Sequence, residues 1–132
     1  MITFNQVLRI APFALLALIS GMFDGLNQTL LFHYGQFVEV FPSANPQYWN
    51  PDLSWTNKGS NIITRTLLVF TTDAYHLTRT ITWVSLLCAV YGLASFRIIE
   101  SVPRWLYFII AFVFVYCWKG LGFHLVYSLL FR

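Results

Sequence analysis

Apolar residues fall in three blocks, each longer than the buried face of a soluble helix. Residues 7–23 carry one charge, Arg9, in 17 positions. At about 1.5 Å per residue that run just crosses a hydrocarbon core of about 30 Å. Pro12 falls in its opening turns, where a missing amide is best tolerated, and Asp24 marks its far end. Residues 80–96 form a second uncharged run of 17, and no Pro or Gly interrupts 62–91, so this helix is predicted to start earlier, near Ile62 or Thr66. Residues 105–118 add 14 uncharged positions. Lys119, Gly120 and Gly122 then interrupt the pattern before a last apolar stretch, 121–131, which reads either as a tilted continuation or as a separate half-helix.

The polar stretch between the first two blocks has its own character. Pro42, Pro46 and Pro51 exclude a long regular helix over 41–61, while Tyr48, Trp49 and Trp55 alternate with Asn and Pro. Aromatic rings with polar tips suit the headgroup boundary, so 34–61 is expected to be an ordered interfacial loop. The predicted fold is therefore all-α: one membrane domain over 1–132, a bundle of three or four transmembrane helices with an aromatic-rich interfacial loop. The spans are placed at 7–23, 66–96 and 104–131.

Composition reinforces this reading. Hydrophobic residues make up 58% of the chain and charged ones 10%, against about one quarter charged in an average soluble domain. Mean hydropathy is +0.64. The lipid bilayer is the expected partner. The net charge of +3 comes from eight scattered Lys and Arg that form no stripe, so nucleic acid is not an expected one. Cys88 and Cys117 lie inside apolar runs, and no disulfide is expected. The first block lacks a small-x-small cleavage pattern and reads as a retained helix rather than a signal peptide.

With three spans, Arg9, Arg97 and Arg104 share one side with Glu100, and the long loop carries Lys58, Arg65 and Arg79 against Asp24, Glu39, Asp52 and Asp73. The slight basic excess predicts a cell-membrane protein with its amino terminus in the cytoplasm, although Lys119 and Arg132 on the other side work against it.

Three-span topology also gathers the ionisable residues. Asp24 and His33 follow the first span, Asp73 and His76 precede the second, and Lys119 and His124 follow the third, so all three histidines come to one face. Asp73 and His76, three apart on a helix, share a side and suit one metal ion; Asp24 and Asn27 have the same spacing. Ionisable groups near membrane depth are costly unless paired or functional. The candidate metal ligands are Asp24, His33, Asp73, His76 and His124, for zinc, iron or manganese. Lys119, Trp49 and Trp55 are candidate substrate contacts. Each has a structural alternative: Asp73 paired with His76, Arg65 or Arg79, His33 seated among headgroups, His124 bonded to Ser128, Lys119 reaching for the interface. The chain has no phosphate loop, GxSxG elbow, HExxH helix or CxxCH.

The runs FHY at 32–34, YWNP at 48–51, SWTNK at 54–58 and TDAYHL at 72–77, with FHL at 123–125, resemble a family of uncharacterised small bacterial multi-pass membrane proteins. The resemblance implies a bacterial membrane setting and no particular activity. Two functions fit the sequence. One is a polar, metal-dependent site at one membrane face that acts on a lipid-like substrate. The other is a non-catalytic accessory subunit or assembly factor, with a membrane-protein partner or a second copy of the chain.

Overall fold

The computed structural model describes residues 4–57, 59, 61–96 and 102–131. Lys58, Arg97, Glu100 and Arg132, which enter the charge balance above, lie outside the described residues. In chain order the helices are α1 (Phe4–Phe32), α2 (Tyr34–Val40), α3 (Pro46–Trp49), α4 (Ile62–Thr66), α5 (Ala74–Ser95) and α6 (Arg104–Tyr127). Short 3-10 turns stand at Pro51–Asn57 and Val69–Thr71. No strand forms among the described residues. Of these helices α1, α5 and α6 are long and apolar enough to cross a membrane. The protein is an all-α membrane bundle of three spans capped by an aromatic loop.

Two boundaries differ from the hydropathy reading, and at a third the structure selects one of the two alternatives left open. First, α1 does not end at Asp24. It continues to Phe32, 29 residues or about 43 Å, because Asp24 and Asn27 find partners on the neighbouring helices. Second, the helix of the middle span starts at Ala74 rather than near Ile62 or Thr66. Upstream, the hydroxyls of Thr64, Thr66, Thr71 and Thr72 bond to carbonyls three or four residues back, a competition with helical bonding that favours short turns. The Asp73 side chain then caps α5 by accepting the His76 amide. Third, Lys119, Gly120 and Gly122 leave α6 unbroken through Tyr127, so the final stretch is a continuation and not a half-helix.

The loop prolines act as the sequence suggests and also start helices of their own. Pro46 opens α3 behind Asn45, whose side chain accepts the Gln47 amide at 3.0 Å. Pro51 opens the following 3-10 turn.

α1 is the spine: it packs along both α5 and α6, which touch each other far less. Gly21 lies against Lys119 and Phe123, and Gly25 against Phe123 and Tyr127, so α1 and α6 run in the same direction. A Cβ at Gly21 would run into the Lys119 carbonyl oxygen, and one at Gly122 into that of Leu18. Between lipid-bathed helices, where there is no water to expel, such backbone approach supplies the packing.

Towards the loop-free end, Ala17, Ala89, Leu93, Ala94, Ala111 and Val115 form a buried cluster. At the loop end Leu30, Phe37, Ala74, Val126 and Phe131 form a second. Phe37 is its centre, stacked on Trp49 at 5.1 Å and tilted to Phe131 at 6.0 Å between ring centroids. The outer faces carry exposed residues such as Leu87, Phe108, Ile109 and Val113, suited to acyl chains. Cys88 and Cys117 are free thiols on those faces.

Candidate functional site

Polar contacts across the bundle concentrate in its loop-side half. Ser20 on α1 donates to the Thr82 carbonyl of α5 at 2.8 Å. One turn pair further on, the Asn27 amide donates to the Tyr75 carbonyl at 3.0 Å and to the Thr78 hydroxyl at 2.8 Å. Asp24 on α1 forms an ion pair with Lys119 on α6, both side chains about one-fifth exposed. Lys119 stands only three to four residues past the middle of α6, about 5 Å from the bilayer midplane if the helix is centred. A charge at that depth is tolerated because it is paired.

Beside this pair lies a groove of about 510 Å³ between α5 and α6, floored by α1. Arg79, Lys119, Asp24, Asn27 and Gln28 line its polar part, and Trp83, Leu86, Phe112 and Tyr116 its apolar part. Trp83, Phe112 and Tyr116 are each more than half exposed, so the groove opens sideways toward lipid. Two cations against one carboxylate leave it with one excess positive charge. A second cavity of about 350 Å³ shares Asp24, Tyr116 and Lys119 with the groove and extends past Gly120 and Phe123 to His124.

The five residues expected to hold one metal are divided among separate partners. Asp73 and His76 do pair: His76 Nδ1 lies 2.8 Å from Asp73 Oδ2. Asp24 is held by Lys119. The exposed His33 meets the Tyr127 hydroxyl at 2.8 Å, and the exposed His124 meets Ser128 Oγ at 3.2 Å. Among the described residues no group of three His, Cys, Asp or Glu stands within reach of one ion. The structure thus brings Asp73 to His76 and Asp24 to Lys119, and does not gather the five as one group. Topology brings these residues to one face, but helix rotation sends their side chains to different neighbours.

Nor does an arginine neutralise Asp73 in the way the sequence allowed: Arg65 donates to the Gly59 carbonyl and Arg79 to the Tyr75 hydroxyl. Of the three expected substrate contacts, Lys119 lines the groove. Trp49 is packed on Phe37 and lines a separate cavity of about 280 Å³ with Leu26 and Phe41. Trp55 stands 70% exposed on its turn.

Tyrosines of the loop report its packing against α5. Burial pushes the Tyr34 phenol above its ordinary value, and that hydroxyl is buried without a hydrogen-bond partner. Tyr48 is pushed up by burial and then by the negative charge of Asp73.

Sequence reading missed Arg79, Trp83, Phe112 and Tyr116 as groove residues. The signal was present on α5, where positions 79, 83 and 86 recur at helical spacing. No local signal joins Asp24 to Lys119. No family model matches the chain, and comparison with curated proteins and with solved structures likewise returns no match.

Proposed function

We propose that the protein holds an anionic, membrane-soluble amphiphile, a lipid with a phosphate headgroup, in the groove between α5 and α6. The observation that carries this reading is the groove's polarity: Arg79 and Lys119 at one end, Trp83, Leu86 and Phe112 along the rest. Arg and Lys together suit phosphate oxygens, and the apolar wall suits an acyl chain. Lateral opening lets a lipid enter from the bilayer without crossing water.

The setting in this reading is a cell membrane with the amino terminus on the cytoplasmic side. Arg9 and Arg104 at the loop-free end support it through the preference of basic residues for that side. The motif resemblance supports a bacterial membrane.

Native mass spectrometry of the full chain released from mild detergent tests the reading. With phosphatidic acid and phosphatidylcholine offered together, one phosphatidic acid is expected to stay bound, and Arg79→Met is expected to lower its retention about tenfold, the loss of one charge-assisted contact of about 1.4 kcal/mol. Inorganic phosphate alone is expected not to displace it, because the acyl chain supplies the apolar contacts. Equal retention of the two lipids, or full displacement by free phosphate, would refute a lipid-phosphate groove.

A further inference from the structure

Asp73 does more than a helix cap requires. Its buried carboxylate accepts the His76 amide at 2.9 Å, the Thr72 hydroxyl at 2.9 Å, and His76 Nδ1 at 2.8 to 2.9 Å on both oxygens. A carboxylate only accepts, so Nδ1 carries the hydrogen, and in the neutral ring this leaves the lone pair on Nε2. The cap is complete with the amide alone. The ring contact adds an oriented base, and His76 is only partly buried.

Helical register sets that base one turn before Arg79, on the same face of α5 but outside the lining of the groove. His76, Arg79, Trp83 and Leu86 follow one stripe of α5, and the last three line the groove. Arg79 leans back toward the His76 turn: its Nη1 donates to the Tyr75 hydroxyl at 2.7 Å, and the Tyr75 ring meets the His76 ring edge-on at 5.1 Å. Guanidinium and imidazole thus flank one tyrosine. By residue count His76 lies about 13 Å from the middle of α5 and Arg79 about 8 Å, which puts the base at the wet rim of a hydrocarbon core about 30 Å thick.

Building on an anionic lipid held in the groove, we propose that the protein is a lipid phosphomonoesterase in which His76 is the general base and Asp73 positions it. Arg79 and Lys119 hold the non-bridging phosphate oxygens. His76 Nε2 takes one proton from a water as the water oxygen bonds to phosphorus. The bond from phosphorus to the lipid oxygen breaks, its electron pair staying on that oxygen, which takes a proton from a water on the opposite side of phosphorus while His76 releases its own proton to solvent. The products are the lipid alcohol and inorganic phosphate, with no net proton left on the protein and no redox change.

Phosphate release from phosphatidic acid by the full chain in detergent micelles tests this, alongside retention of the same lipid. Wild type is expected to release phosphate. His76→Gln is expected to lower kcat at least about 100-fold. Asp73→Asn keeps the cap, since Asn caps helices as well as Asp does, and is expected to lower kcat while leaving KM unchanged, a split that a merely structural defect would not give. Both variants should retain the intact lipid at least as fully as wild type, which consumes it. Retention without phosphate release by wild type, or undiminished turnover in His76→Gln, would overturn the esterase. Absence of retention by wild type and His76→Gln alike, with no phosphate released, would instead overturn the groove reading on which it rests.

Discussion

The two halves of the bundle are held together by different means. Towards the loop-free end, Ala17, Ala89, Ala94 and Ala111 let the helices approach around Leu93 and Val115, and Phe13 tilts against Phe96 at 5.5 Å. The loop-side half instead relies on directional contacts: Ser20 to α5, Asn27 to α5, Asp24 to α6. Both halves border a void, and the contacts beside each set its chemistry. The groove, of about 510 Å³, lies in the half that carries the directional contacts and has polar walls, whereas a cavity of about 500 Å³ between α1 and α6 in the alanine-packed half, with Val7, Leu15, Phe114 and Trp118 among its walls, is almost wholly apolar.

The largest expected effect comes from the glycine seam between α1 and α6. Gly21→Ala forces α1 and α6 apart and is expected to cost on the order of 3 kcal/mol, read as a fall in thermal unfolding temperature in micelles. Gly120, next to Lys119 on α6 but with open space at its Cβ position, is the internal control; Gly120→Ala should be neutral or stabilising by up to about 1 kcal/mol. Equal tolerance of the two would show that the helices are not in backbone contact.

A smaller effect tests the polar half alone. Asn27→Leu removes two hydrogen bonds to α5 while keeping the branched side-chain shape, and should cost about 1 kcal/mol. It should also lower lipid retention, because Asn27 lines the groove. A stability loss without any change in retention would separate the bonds that brace α5 from the groove they border.

The smallest effect concerns the loop. A phenol whose folded value is raised contributes stability that is fully present below its unfolded value, 10.0 for tyrosine, and is lost as pH climbs through the folded value. Loop packing should therefore be insensitive to this group up to that pH and weaken above it. Phenolate absorbance should place Tyr48 later than free tyrosine, and Asp73→Asn should bring it part of the way back. Ionisation of Tyr48 at the ordinary value would detach the loop from α5.

Much of the fold was legible because a hydrocarbon slab demands length and apolarity, properties written locally in 7–23, 80–96 and 105–118. The boundaries were not, because they depend on distant partners: Asp24 reads as a stop until Lys119, 95 residues later, receives it. Spacing put Asp73 and His76 on one face, and they do meet, yet that same spacing belongs to a helix cap as readily as to a ligand pair. Gly21 and Gly25, four apart, carried a readable mark of close helix approach. Which side chains share a cavity depends on helix rotation, and hydropathy carries little of it when all faces of α6 are apolar.

The pairing of Asp24 with Lys119 also constrains how the chain is made. Ribosomes add about 5 to 20 residues per second, so a carboxylate on the first helix emerges roughly 5 to 20 seconds before its ammonium partner, 95 residues downstream. During that interval the nascent first helix must ride high enough for Asp24 to stay hydrated. Arrival of α6 then draws the helix to its final depth, so translation order and membrane insertion are coupled through a single ion pair.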